Sequence, residues 1–547
     1  MASRLRKAAL IFVLKKERPS GRSFFCNATQ VKVSTEVRQG LRRGALSAAV
    51  WLLPAAVSVG EAFSELGQAL AAQPIEAAQP AGSLTPGQRR AYAEVLKLRP
   101  AAARQLLAAE PATAPGTLLV ADCADFVELL VTQDAARYEA TLAAQEARLA
   151  TLGPASAGPL RDYAQAEIQA HEAVAQLTFG HEVRGAWNLR QAIVRLTAVA
   201  ARYPAFVPAR KTLGLCQFGI GSLPSGYHWF LRLLGLGGSV EEGLRNLRLA
   251  ATQPNDFQTE SQILQALVGE AYYKGGPEAL ALAERLQAGQ PDNLLFGYLV
   301  ITLNKRQHHG DAALAAYRAR PTGPGYVPLA YLHHLAGDLL LYRGDYAASV
   351  AENEQFLHEY RGQHYRKDTA FKLYLAAWLG GEPLATLDRY RQQINHLGPL
   401  VVEEDVYAQR FYHDAQALNP LLTRARLLTD GGYYQQALSV LQRFTLTSAT
   451  PVRDRLEAPY RRARVWQGLG RADSAQVDYQ RTLRRAAALG EPPYYFAPQA
   501  ALQLGYLAQA AGQKAAAQAY FEQAMAYPKH EYKNSTDQKA KLALRQL

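Results

Sequence analysis

With 547 residues, 49% of them hydrophobic and 20% charged, the chain has the composition of a folded protein and several times the length of an ordinary domain, which excludes disorder over most of its length. The formal net charge of +13 does not by itself point to nucleic acid. Residues 1–43 hold eleven Lys/Arg against Glu17 and Glu36, and the other 504 residues carry only +4, whereas phosphate tracking needs charge on the folded surface.

Behind Arg38, Arg42 and Arg43 runs the uncharged apolar stretch Ala45 to Gly60 (ALSAAVWLLPAAVSVG). It falls short of the ~20 residues of a bilayer span and is broken by Pro54, so it reads as the apolar part of a secretory signal. Ala69-Leu70-Ala71 offers a small-x-small cleavage site before Ala72. Glu61 and Glu65 intervene and the part upstream is long for a signal, which leaves a signal anchor as an alternative. A true start at Val33 would leave a compact signal peptide, and a cytoplasmic chain with a basic leader is the third reading. The expectation is an exported, periplasmic or envelope-associated protein. Residues 72–88 (AQPIEAAQPAGSLTPGQ) read as a linker, and 89–152 as a helical cap whose polar side shields the first repeat.

After the turn-rich GPASAGP at 153–159, one pattern recurs: a small residue inside a helical stretch, with Gly and Pro marking the boundaries of the unit. It falls at Ala192, Gly243, Ala279, Ala313, Ser349, Ala385, Ala437, Ala475 and Ala517. From Gly243 to Ala385 the intervals are 36, 34, 36 and 36 residues; elsewhere they are 51, 52, 38 and 42. A period near 34 residues is that of stacked helical hairpins, each too small to bury both faces alone. Pro204, Pro254, Pro291 and Pro528 follow their slots by 11 or 12 residues and end the units, because proline cannot continue a helix.

The most complete copy is Leu504 to Pro528, LGYLAQAAGQKAAAQAYFEQAMAYP. Leu504-Gly505, then Ala517 four residues before Phe521, then Pro528, resembles the tetratricopeptide repeat family, although Ala501 and Ala508 stand where its signature has large residues. The resemblance implies an all-α fold, an α-solenoid of helix-turn-helix repeats. Its first helices would line a concave groove that receives segments of a partner protein. Residues 153–397 and 421–528 form the repeats in this reading, 398–420 an insertion, and 529–547 a polar capping helix. The stretch Leu213 to Leu249, with Pro224, Tyr227, Trp229 and Phe230, resembles locally the inclusion-body-clearance family of degenerate tetratricopeptide proteins. No functional residue is carried over from it.

Chemistry-bearing motifs are absent: no H-E-x-x-H, G-x-S-x-G, Walker loop or calcium loop occurs. The pairs His308-His309 and His333-His334 read as solvated surface, and Cys123 and Cys216 as buried free thiols. Glu403, Glu404 and Asp405 read as a solvated helix N-terminus, where carboxylates are favourable. No catalytic, cofactor or metal residue is expected. The function expected is a non-catalytic protein-protein scaffold that takes no nucleic acid and meets a membrane only through an N-terminal anchor. The alternative is a glycan- or nutrient-binding envelope protein similar to starch-utilisation lipoproteins, whose lipid-bearing Cys has no counterpart between Cys26 and Cys123.

Overall fold

The computed structural model describes residues 82–222, 237–273, 277–400, 402–414, 417–528 and 530–547, all within the compact unit Gln39–Leu547. The leader, the apolar run from Ala45, and Pro224, Tyr227, Trp229 and Phe230 lie outside the described residues. Among those described there are 24 α-helices and no strand, and no helix is long and apolar enough to cross a membrane.

Four helices come first: α1 (Pro86–Leu96), α2 (Pro100–Leu107), α3 (Pro115–Thr132) and α4 (Ala135–Leu152). Helix α1 starts within the expected linker because Thr85 and Gln88 form a reciprocal capping box ahead of Pro86 at the first position. Antiparallel pairs then follow in chain order. The first three are α5 (Pro159–Thr178) with α6 (Glu182–Arg202), α7 (Pro208–Gly221) with α8 (Val240–Thr252), and α9 (Gln258–Tyr273) with α10 (Pro277–Gly289). The next three are α11 (Leu294–Arg306) with α12 (Gly310–Ala319), α13 (Tyr331–Arg343) with α14 (Tyr346–Glu359), and α15 (Arg366–Gly380) with α16 (Leu384–His396). A single helix α17 (Glu403–Asp414) interrupts the alternation. The pairs resume with α18 (Pro420–Asp430) and α19 (Tyr434–Gln442), α20 (Val452–Gly468) and α21 (Ala472–Ala488), and α22 (Phe496–Ala510) and α23 (Lys514–Ala526); α24 (Lys533–Arg545) ends the chain.

Each of the nine small-residue positions falls on the second helix of a pair. Ala192, Ala313, Ser349, Ala437, Ala475 and Ala517 are wholly buried, and Gly243 and Ala279 are buried too. The reason is close approach of the two helices. A Cβ at Gly243 would lie 2.7 Å from the Gly214 carbonyl oxygen and 2.5 Å from the Phe218 nitrogen, so α7 and α8 meet backbone to backbone. In the last pair the Phe521 ring fills the space over Gly505, where a Cβ would come within 2.4 Å of it. Ala385 differs: it is exposed, and Leu387, Tyr390 and Ile394 carry the buried stripe of α16 instead. Pro528 is exposed just past the end of α23.

Register can be tested at the last pair. Ala517→Trp overfills the α22–α23 contact and should cost about 1–3 kcal/mol, while Lys514→Trp, on an exposed position of the same helix, should change the melting temperature little. Equal losses at the two positions would place the wrong face inward.

Two segments depart from the succession of helix pairs. Residues 84–133 do more than cover the first pair, because they run over the turns that lead into four successive first helices. The Leu84 amide donates to Asp256 (2.7 Å), Lys97 to Asp292 (2.7 Å), the Val327 amide to the Leu98 carbonyl (2.9 Å) and Tyr360 to Gln133 (2.8 Å). Helix α17 is the other. The solvated spot expected at 403–405 holds only for Glu403, because Asp405 is buried and caps a different helix. It accepts the amides of Tyr365 (2.8 Å) and Asp368 (2.9 Å) at the start of α15. Burial, with Asp368 and Glu404 close by, pushes the Asp405 carboxyl up to about 7 although those amides favour its ionised form.

Candidate functional site

The first helices carry polar and charged side chains into the interior. On α5, Glu167 lies four residues before His171. The Lys211 ammonium of α7 sits 2.8 Å from Glu167 Oε1 and 2.8 Å from Glu260 Oε2 of α9. His171 Nδ1 is 2.7 Å from Asp122 of α3, and its ring stacks on Phe126 with centroids 4.0 Å apart. Burial works against the imidazolium, but Asp122 and Glu167 prevail and raise His171 to about 9. Cys123 and Cys216 are free thiols near the same charges. Burial pushes Cys216 up to about 12 and Cys123 well above its ordinary value, which favours the protonated thiol at both.

A second group occupies α11, α13 and α15. Lys372 bridges Asp338 (2.5 Å) and Asp368 (2.6 Å), and Lys305 pairs with Asp338. His334 is buried against Thr369 (3.0 Å), and burial with Lys372 keeps it neutral. His333 lies 2.7 Å from Glu352. The reading of the histidine pairs as solvated surface is thereby corrected for buried His334 and half-buried His333, whose helix faces turn toward neighbouring pairs, and for half-buried His308, and stands for exposed His309. Helices α11 and α13 are buried along almost their whole length, which leaves the middle units no open face on their first helices.

The third group differs, because its cations outnumber their partners. Buried Arg461 of α20 donates to Glu457 (2.9 and 2.8 Å) and to the Tyr495 hydroxyl (2.6 Å). Burial opposes ionisation of Glu457, yet Arg461 and Arg453 hold it below the usual range. Around this pair stand half-buried Arg426 on α18, Arg464 on α20 and Lys539 on α24. Arg426 donates to Tyr407 of α17 (3.3 Å) and Arg464 lies beside Gln467 (3.5 Å). None of the three has a carboxylate within ion-pair distance among the described residues, and Asp430 is a shared, more distant counter-charge for Arg426 and Arg464. Burial, then the Arg464 charge, lowers Lys539 to about 8.

Aromatic rings stand by the arginines: Tyr407 and Tyr495 by Arg426, and Tyr460 and Tyr479 by Arg464, while Tyr532 packs edge-on to Tyr495 (5.4 Å) and lies over Tyr407 (6.5 Å). Tyr532 adopts φ of 62°, a left-handed conformation costly for a side chain of its size. Arg410 of α17 reaches Glu531 (3.7 Å), so the helix expected as an insertion joins α15 to the turn before α24. The arrangement provides unneutralised donors, rings and hydroxyls in one place. No cluster among the described residues has the donors to hold a metal ion.

The sequence positions chosen for their small size, Ala385 apart, lie between paired helices and are not part of this face. The signal for the face was local charge. Residues 420–490 contain twelve Arg and no Lys against five carboxylates, a segregation hidden by averaging over 504 residues. A scan against protein-family models finds no match, and a search of curated proteins finds none either.

Proposed function

We propose that the chain is a non-catalytic scaffold, a tetratricopeptide-like α-solenoid that holds a segment of a partner protein, with the working face on α18, α20 and α24. The observation that carries this reading is the set Arg426, Arg464 and Lys539, three cations with no carboxylate at ion-pair distance among the described residues, Arg426 standing by Tyr407 and Tyr495 and Arg464 by Tyr460 and Tyr479. An extended segment bearing carboxylates would give each a counter-charge, and tyrosines add contact area at little cost in side-chain entropy. The enclosed first helices of the middle units support confining the contact to the last ones. The basic and apolar succession from Arg38 to Ala71 supports placing the scaffold in a bacterial cell envelope.

The test is affinity capture from the native organism with the full chain and with Arg426→Gln/Arg464→Gln, followed by binding of acidic peptides from the captured partner. Loss of the two charge-assisted contacts should weaken binding by about 10- to 100-fold or more, and wild-type affinity should fall as pH rises through about 8, where Lys539 gives up its proton. Capture indifferent to the two substitutions would remove this face from the reading. Saturable binding on a glycan array with no protein partner would replace the scaffold with the nutrient-binding alternative.

A further inference from the structure

A separate group of arginines stands where α20 meets α21. Asp478 is buried on α21 and accepts both Arg462 Nε (2.6 Å) and Arg462 Nη2 (2.7 Å) from α20, as well as Arg481 Nη1 (2.6 Å) from its own helix. One turn on, Arg485 donates through Nη1 to the Arg455 carbonyl (3.1 Å). Arg455 in turn holds the preceding loop, donating to the Thr450 carbonyl (2.7 Å) and to that of Ser448. Two guanidinium groups therefore share one carboxylate, and the Arg485 guanidinium stands one turn away within reach of the Arg481, Arg462 and Arg455 charges. Neighbouring helices normally place opposite charges across such a contact; here like charges are held together by packing and by backbone carbonyls.

The donors are not used up. Nε and Nη2 of Arg481 and of Arg485 have no hydrogen-bond acceptor among the described residues, and the side chains of Arg462 and Arg481 remain 38% and 40% exposed. Burial, followed by the charges of Arg481 and Arg462, lowers the proton affinity of Arg485 below that of an ordinary guanidinium. An anion arriving between them would relieve this repulsion. Guanidinium forks match the paired oxygens of a tetrahedral oxyanion, and two forks with an excess of positive charge favour a dianion over a carboxylate.

We propose that Arg455, Arg462, Arg481 and Arg485 form a binding site for a phosphate-class oxyanion, with Arg481 and Arg485 making the direct contacts. Arg455 and Arg462 position the site, through the loop at 448–450 and through Asp478. The oxyanion is either free or the headgroup of an anionic phospholipid, and exposed Val452 and Val477 beside the arginines leave room for either. This site is distinct from the Arg426–Arg464–Lys539 face and does not depend on the scaffold reading.

The experiment uses the full chain with inorganic pyrophosphate as the free probe and vesicles of phosphatidylcholine containing phosphatidylglycerol as the membrane probe. Wild type should bind pyrophosphate in calorimetry and melt at a higher temperature with it than in sodium chloride of the same ionic strength. Arg481→Gln should weaken that binding about tenfold, and Arg481→Gln/Arg485→Gln should abolish the melting shift. Circular dichroism on the single variant, altered only at a half-exposed position, separates loss of the site from loss of fold. Retention on vesicles by wild type and not by the variants assigns the lipid headgroup; pyrophosphate binding without vesicle retention assigns the free anion. Equal behaviour of wild type and variants toward both probes, or a pyrophosphate effect matched by sodium chloride, overturns the proposal.

Discussion

Lys211→Met should destabilise the chain by about 3–5 kcal/mol near neutral pH, the usual result of leaving buried charge without its partner. Lys211 is 3% exposed and is the shared counter-charge of Glu167 and Glu260, while Tyr92 donates to Glu260 from α1. Methionine keeps the volume but leaves two carboxylates facing a space closed by α1, α5, α7 and α9. They would respond by binding protons, which fixes the sign of the pH effect. In wild type Glu167 is held below the ordinary carboxylate range by Lys211 and His171 in spite of its burial. That contribution is present above the unfolded value and is lost as the solution becomes strongly acidic. In the variant the folded-state pKa rises instead, so its deficit should shrink as pH falls from 8 toward 5. His171 works in the other direction. Its raised pKa of about 9 gives stability that is complete below about 6.5 and lost as pH rises through 9. Urea midpoints at pH 5 and pH 8 check both, and a Lys211→Met midpoint within error of wild type at pH 8 would show that the network contributes nothing net. Lys211→Met/Glu167→Gln should recover part of the loss, since it removes one of the stranded charges.

The parts of the fold that were legible in the sequence are those whose contacts are short in chain separation. Ala517 and Phe521 meet Gly505 within one hairpin, and a small residue opposite a large one needs no outside information. Ala385 misled because the GGEPLATLDRY stretch offers two small or apolar residues close together, and Leu387 rather than Ala385 takes the inner face once α16 begins at Leu384. The candidate face was not legible for a different reason. Arg426, Tyr407, Tyr495, Tyr532 and Lys539 come from four helices and their caps, and no spacing rule along one helix brings them together. Asp405 shows the same limit: an acidic residue in the first turn of its own helix satisfies the amides of another helix some 40 positions earlier in the chain. Average charge concealed both arginine groups, since the acidic segments elsewhere cancel them in the sum.

The largest architectural prediction concerns the N-terminal helices. In an ideal repeat array each unit contacts only its neighbours, so loss of a terminal piece removes that piece and little else. Here residues 84–133 bridge four turns: Leu98 shares one core with Leu299, Leu329, Tyr331 and Tyr365, and Tyr92 packs edge-on to Phe257 with centroids 5.0 Å apart. Leu119, Val120 and Phe126 of α3 are buried as well. Removing residues 1–133 would uncover these apolar surfaces together, each buried large side chain contributing ~1.5–3 kcal/mol, and would take from Asp256 its partner Arg89 and from Asp292 its partners Lys97 and Arg99. The truncated chain should bind a hydrophobic dye, aggregate, and lose the cooperative thermal transition of units as distant as α15. Removing α24 alone, residues 533–547, uncovers only the end of the α22–α23 pair, and the rest of the chain should melt within a few degrees of wild type. Hydrogen exchange read out by peptide would locate the difference. If amides of α11 and α13 keep their protection after loss of residues 1–133, the N-terminal helices are a detachable cover; if protection collapses there but survives loss of 533–547, they are part of the core that the middle units share.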